Sequence, residues 1–260
     1  MIDIHCHILP GIDDGPETID EAVDLIRAAA ATGMTTMIAT PHVSPRYPND
    51  AGLIADGVAQ VKAGLLAAGV TLDIRPGAEI AIHQIVDLPS GELERLSLDG
   101  GQWLLIESPF KSPVESLPAV LEVLRGRGHR IVLAHPERCP GFHRRPDILE
   151  TLIADGEVLG SMTAGSLIGQ FGRDVQEFSF WMARNGMIHN VASDAHDCVR
   201  RPPGIADAME QAGLGAHVEL LAREVPEAIL TGGPLPHIPT CLLPGPPPRR
   251  SWRRSPRLPG

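Results

Sequence analysis

The sequence predicts an α/β protein whose parallel sheet closes, or nearly closes, into a barrel, with a doubly wound open sheet as the alternative. Three observations carry this expectation. Short apolar runs alternate with segments of helical apolar spacing, roughly seven times along 260 residues. Polar residues of one chemical kind, His7, His42, Glu79, Glu107, His135, Asp194 and His196, fall at or just after the C-terminal ends of those runs. In a parallel barrel these ends share one rim, where active sites sit. The chain is 43% hydrophobic with 3% aromatics, enough for a large core made of Leu, Val, Ile and Ala.

The first strand, residues 1–7, anchors the pattern. Side chains alternate along a strand, so Asp3, His5 and His7 share one face and Ile2, Ile4 and Cys6 the other. A Pro/Gly loop leads to Pro16, placed for a helix start. Ile19, Ala22, Val23, Ile26 and Ala30 then recur at helical spacing until Gly33. Residues 35–40 read as a buried strand closed by Pro41-His42. A helix over 53–68 and a short strand over 71–75 lead to Pro76-Gly77-Ala78-Glu79. Residues 103–107 form a strand ending in Glu107, followed by a helix over 115–125 and a strand over 130–135 stopped by Pro136. A helix over 146–154, a weak strand over 158–162, a helix over 171–185 and a strand over 187–192 follow. Helices over 205–211 and 216–230 close the domain at 231.

From 232 to 260 the composition changes to prolines and arginines without acids, which reads as a disordered tail. Five of the 22 basic residues lie there, so residues 1–231 hold 17 bases against 32 acids, a net charge of -15. The whole chain carries -10, which argues against nucleic acid as a partner. Cys6, Cys139, Cys198 and Cys241 form no C-x-x-C pair, and their scatter reads as free thiols of a reducing compartment. No apolar run is long enough for a membrane span and a strand begins at once, so the expectation is a cytoplasmic protein.

His5, His7, Asp14, His42, Glu79, Glu107, His135, Asp194 and His196 are candidate metal ligands. Imidazole with carboxylate, and no thiolate, suits manganese, iron or zinc in a reactive centre better than structural zinc. Nine ligands exceed one ion; two need a bridging carboxylate and three fit the count. Clustered ions about 3.5–4 Å apart are the usual apparatus for phosphate-ester cleavage. Each residue also has an ordinary role open to it, Asp14 as a helix cap or Glu79 as a rim ion pair. Glu107 has the fewest, because a carboxylate ending Leu104-Leu105-Ile106 must be satisfied somehow. His143, just past Arg138, is placed to reach a substrate.

The segments HCHILPGIDDG (5–15), ATPH (39–42), GAEI (77–80), AHPER (134–138) and SDAH (193–196), in this order, resemble the PHP superfamily of metal-dependent phosphoesterases. The DDGP turn and the RPP after SDAH are similar to its bacterial manganese-dependent protein-tyrosine phosphatases of capsule and exopolysaccharide operons. The resemblance spans about 1–231. It implies a distorted (β/α)7 TIM-like barrel and three Mn2+ ions, with Fe, Zn, Mg or Co as substitutes. It assigns His5, His7, Glu79 and Asp194 to one ion, Glu79, Glu107 and His135 to a second, and Asp14, His42 and His196 to a third. It further implies that Arg138 and Arg201 hold the phosphoryl group, Arg200 being the neighbouring alternative. The implied partner is a phosphotyrosine-bearing protein, the tail of a tyrosine autokinase; a homo-oligomer is compatible with it. Other readings are a phosphatase of a small phosphomonoester such as histidinol phosphate, and an inactive barrel that binds a partner. Cys139 stands where such proteins often carry an aromatic, which puts ring stacking at that position in doubt.

Overall fold

The computed structural model describes residues 1–85, 87–110 and 112–243. Nine strands run in parallel: β1 Ile2–Cys6, β2 Thr36–Ala39, β3 His42–Val43, β4 Asp73–Pro76, β5 Glu79–Ala81, β6 Trp103–Glu107, β7 Arg130–Ala134, β8 Val158–Thr163 and β9 Asn190–Ala192. They form a three-stranded sheet, β1-β2-β4, and a six-stranded sheet, β3-β5-β6-β7-β8-β9. The two join because β2/β3 and β4/β5 are each one barrel strand broken at a proline. Pro41 and the Pro76-Gly77 step remove amide donors from the ladder. The Glu79 N–H to the Pro41 carbonyl carries the pairing across the break. At the other edge Asp194 N–H donates to the His5 carbonyl at 2.8 Å and His7 N–H to the Ala195 carbonyl at 2.9 Å, joining the first strand to the last. The result is a distorted (β/α)7 barrel.

The strands are apolar on both faces, as a covered parallel sheet requires. Trp103, Leu105, Val132, Ala134 and Leu159 form an inner cluster with Ile4 and Ile38, closed by Val225 and Ile229. Leu104, Ile106, Ile131 and Leu133 pack outward under the helices. The inner face of β6 ends at Glu107, and Leu105 pairs in register with Glu79 of β5. The same alternation that fills the barrel therefore delivers two carboxylates to its rim.

Several elements differ from expectation. The 216–230 helix is three pieces: a 3-10 turn Gly215–His217, a π turn Leu220–Glu224 and an α-helix Val225–Thr231. Pro226 has no amide for the Ala222 carbonyl, so the helix widens there. The helix expected over 171–185 starts at Arg173, because Gly172 takes φ 94°. Short helices Ser90–Leu96, Pro140–Arg144 and Ala164–Leu167 were absent from the pattern, being too short for periodicity.

Residues 233–243 hold no helix or strand but lie on the barrel. Leu242 is 2% exposed and its N–H reaches the Ala183 carbonyl at 2.8 Å. The remainder of the Pro/Arg-rich segment, 244–260, lies outside the described residues. Among the described residues no helix is long and apolar enough to cross a membrane.

Candidate metal centre

All nine candidate ligands converge on the C-terminal rim. The tightest group is His5 and His7 of the first strand, Glu79 and Asp194. His5 Nε2 lies 3.3 Å from Glu79 Oε2 and 3.4 Å from Asp194 Oδ1. His7 Nε2 lies 3.4 and 3.5 Å from the same two atoms, and 3.3 Å from His5 Nε2. Five edges of this four-atom cage are thus nearly equal. Imidazole and carboxylate donors at this spacing can share one first-row divalent cation. Glu79 Oε2 is buried without an aligned hydrogen-bond donor, although three imidazole nitrogens stand 3.1–3.4 Å away. A cation at the centre satisfies that atom.

A second group lies beside it. His42, Glu79 and Glu107 each offer an atom to one small volume, whereas His135, with Nε2 2.7 Å from Glu79 Oε1, groups with His5 and Asp194 instead of with Glu107, the partner expected for it. The third group, Asp14, His42 and His196, gains His7: Asp14 Oδ1 is 3.5 Å from His42 Nε2, 3.3 Å from His196 Nε2 and 4.0 Å from His7 Nδ1. Glu79 borders the first two groups.

Two side chains outside the expected set orient the cage. Asp13 Oδ2 accepts from His7 Nδ1 at 2.7 Å and from the His42 amide at 3.2 Å. Holding the proton on Nδ1 leaves the Nε2 lone pair facing the cage. Asp3 Oδ1 accepts from the amides of His5 and Ser193, tying the first strand to the loop that carries Asp194. Asp13 sat unnoticed beside Asp14 in the DDG turn. The adjacent pair was its signal, since one acid can face the ion while the other holds a ligand. Gly15 permits the turn, because a Cβ there would meet the His7 carbonyl oxygen at 2.7 Å.

Backbone strain sits at the same place. His135 (φ 33°) and Asp194 (φ 52°) are two of three non-glycine residues in the left-handed region among those described. Each leaves its strand by this kink, which turns the side chain back over the rim; such strain collects at functional sites.

The charges do not balance. Asp13, Asp14, Glu79, Glu107 and Asp194 outnumber the guanidiniums of Arg138 and Arg201 at the centre and Arg46 at the cavity wall, so the site is negative before any imidazole protonates. Burial pushes Glu107 up to about 7, helped by the Glu79 charge. Burial works against the His7 cation, yet Asp13 and Glu79 outweigh it and hold His7 up at about 10. Burial and Arg138 push His135 down to about 4. Buried charges each cost several kcal/mol when uncompensated, so this donor set fits divalent cations.

Arg138 and Arg201 both reach Asp194 Oδ2. Arg201 Nη1 also donates to His196 Nε2 at 2.8 Å. Arg200 is exposed on the outer side, so Arg201 is the arginine of the site. Arg138 lies 4.2 Å over the Phe171 ring and 5.5 Å from that of Phe110. Above these groups opens a cavity of about 260 Å³, also lined by Ser44, Arg46, Tyr47 and Phe110. None of these aromatics was expected at the site. Cys139 is buried and donates to the Pro109 carbonyl, and Phe110 and Phe171 supply rings from other loops. His143 does not line the cavity; its Nε2 meets the Glu137 carbonyl oxygen and its ring packs on Phe178. Cys6 faces away from the histidines, toward the Ile38 carbonyl.

A family model described as "Capsular polysaccharide synthesis, CpsB/CapC" matches residues 1–224. The Tyrosine-protein phosphatase YwqE of Bacillus subtilis (strain 168) is 36% identical over 202 residues, 77% of this chain and 79% of its own length. The Tyrosine-protein phosphatase CpsB of Streptococcus pneumoniae is 25% identical over 217 residues, 81% and 88% of the two chains. A crystal structure from work on YwqE of Bacillus subtilis and CpsB of Streptococcus pneumoniae, described as metal-dependent tyrosine phosphatases, superposes with a TM-score of 0.80. Its identity is 29%, over 94% of this chain and 100% of that one. Dihydropyrimidinase from Brevibacillus agri shares the fold alone, with a TM-score of 0.53 at 13% identity over 87% and 69% of the two chains.

Proposed function

Because this chain belongs to the CpsB/CapC family of capsular polysaccharide synthesis, we propose that it is a metal-dependent protein-tyrosine phosphatase. The observation that carries the reading is the clustering of His5, His7, Glu79 and Asp194, five of whose donor pairs lie 3.3–3.5 Å apart, under a cavity that two arginines enter. The catalytic residues are Arg138 and Arg201. The ion-holding residues are His5, His7, Glu79 and Asp194; Glu79, Glu107 and His135; and Asp14, His42 and His196, with Glu79 shared. Manganese is the proposed ion, since imidazole and carboxylate donors without thiolate suit it. The substrate is a phosphotyrosine on a protein, the tail of a tyrosine autokinase that controls capsule or exopolysaccharide synthesis. The setting is the cytoplasm.

Divalent cations bound here supply the activation of water and part of the charge neutralisation at phosphorus. The protein supplies the rest. Arg138 and Arg201 present guanidinium forks that suit a phosphoryl dianion, and binding trades their contacts with Asp194 for contacts with phosphoryl oxygens. Phe171 backs the Arg138 guanidinium and fixes its plane. Asp13 holds the His7 tautomer. The leaving phenolate, with a pKa of about 10, departs more readily than an alkoxide, so a general acid is helpful rather than required. Cys6 and Cys139 are buried and burial raises both, and the exposed Cys198 and Cys241 do not line the cavity, so the reading assigns no step to a thiol.

The test is hydrolysis of a phosphotyrosine peptide by protein purified without added metal, with elemental analysis of the same sample. Turnover should vanish with a chelator and return with Mn2+. Turnover that survives full chelation would sink the proposal.

A further inference from the structure

We infer that Tyr47 and Phe110 form a slot for the ring of an aromatic ester, so that the mouth of the cavity selects aryl phosphomonoesters over alkyl ones. The inference rests on the phosphatase reading above and names the residues that confer its specificity.

The aromatic side chains of this protein are few and unevenly placed. There are five Phe, three Trp and one Tyr in the whole chain. Trp103, Phe142 and Phe178 are fully buried. The single tyrosine lines the cavity. Phe110 lines it too, and at 40% it is the one aromatic among the exposed large hydrophobics of the described residues. An apolar ring left in water at the lip of a polar, charged cavity forgoes its own burial, unless a ligand covers it.

Each ring is seated on a candidate ion ligand. Tyr47 stacks on His42 with centroids 5.7 Å apart and planes 8° apart. Phe110 lies 5.4 Å from His135. Tyr47 follows β3 and Phe110 follows β6, the two neighbours of the Glu79 strand β5. Strands two places apart are separated by about 10 Å, which leaves room for one ring between two others.

The Tyr47 side is pre-organised. Ser44 N–H donates to the Tyr47 carbonyl at 2.9 Å, and Tyr47 N–H to Ser44 Oγ at 3.2 Å. Asn49, 8% exposed, donates through Nδ2 to the carbonyls of Ile12 and His42 at 3.0 and 2.8 Å. Pro45 and Pro48 fix φ on both flanks. A surface loop pinned this firmly presents its ring at low entropic cost to a ligand.

Depth supplies the chemical reason. The cage atoms belong to residues that are about 1% exposed or less: His5, His7, Glu79 and Asp194. A phosphoryl group must pass the mouth to reach them. In phosphotyrosine a whole ring separates the ester oxygen from the backbone, whereas in phosphoserine only one methylene does. The ring-length side chain spans the slot and leaves its polypeptide outside.

Inhibition by non-reacting phosphonates tests the slot without any leaving-group effect. With the metal-loaded full chain and p-nitrophenyl phosphate as substrate, phenylphosphonate should inhibit about tenfold more tightly than methylphosphonate. Phe110→Ala should bring the two inhibition constants to within about twofold, and Phe110→Trp should restore the preference. Tyr47→Ala should narrow the ratio as well. Phe110 is partly exposed, so its replacement leaves the core intact. A phenyl preference unchanged in Phe110→Ala overturns the slot, as does equal inhibition of the unmodified protein by both phosphonates. If the metal-loaded protein cleaves no aryl phosphate at all, the phosphatase reading falls first, and the slot with it.

Discussion

Asp13 shows how much of this site lies behind its candidate ligands. Its carboxylate does not line the cavity, yet it bonds His7 Nδ1 and anchors the His42 amide. Asp13→Asn keeps the shape and loses the charge; metal affinity should fall about 10–100-fold, read by titration with Mn2+, while the fold stays intact. His7, held at about 10, must shed its proton when an ion binds. Metal uptake near neutral pH should therefore release protons and strengthen as pH rises, measurable by calorimetry in buffers of different ionisation enthalpy. Glu137 makes an independent prediction. It is fully buried, accepts from the Thr163 amide and the Ser166 hydroxyl, and has one carboxyl oxygen without a partner. Burial raises it to about 7 from the ordinary 4.5. A raised folded-state value means its contribution is complete below about pH 4.5 and is lost as pH rises through about 7. Glu137→Gln should therefore gain melting temperature relative to the parent at pH 8, and gain little or nothing at pH 5. A constant offset across that range would show that Glu137 does not titrate as described.

At the scale of elements, the loops rather than the strands set the specificity of the rim. The 197–201 turn is wound on Asp197, whose Oδ1 accepts from the Val199 and Arg201 amides. The His196 amide closes it on the Arg201 carbonyl at 3.0 Å. This winding brings Arg201 back over His196 and leaves Arg200 outside. Asp197→Ala should lower kcat/KM for a phosphotyrosine peptide about tenfold through a misplaced Arg201, with metal content unchanged. Loss of metal instead would point to damage at His196. The strand ends were readable because an apolar run that stops at His, Glu or Asp leaves one polar residue at the rim. The turns were not, since Asp197 and Asn49 act through backbone groups that no side-chain periodicity reports. Phe110 and Phe171 were missed for a related reason. The family resemblance points to an aromatic next to Arg138 in sequence, where this chain has Cys139, whereas the barrel brings rings from two other loops to the same arginine.

At the scale of the molecule, the site and the fold are coupled. Five carboxylates and several imidazoles share one end of the barrel, so cations held there would offset the repulsion among the strand ends. Saturating Mn2+ should raise the melting temperature of metal-free protein; a concentration one hundred times Kd corresponds to about 2.7 kcal/mol. An unchanged melting curve would separate the cage from the stability of the barrel. Leu242, buried against the barrel, belongs to the folded unit. Removing residues 244–260 should leave peptide turnover within about twofold, whereas removal from 232 should lower the melting temperature by several degrees.

By itself the sequence determined the strand–helix alternation and the seven polar residues at strand ends, because each depends on local spacing: an apolar run, its end, and the polar residue that follows; the two arginines were implied by the family resemblance. Only the tertiary structure decided that β2/β3 and β4/β5 are each one strand broken at a proline, that His7 also approaches the Asp14 group, that Arg201 rather than Arg200 lines the cavity, and that Tyr47 and Phe110 line its mouth. Those features arise from distances between segments far apart in the chain, which closure of the barrel fixes and local pattern cannot.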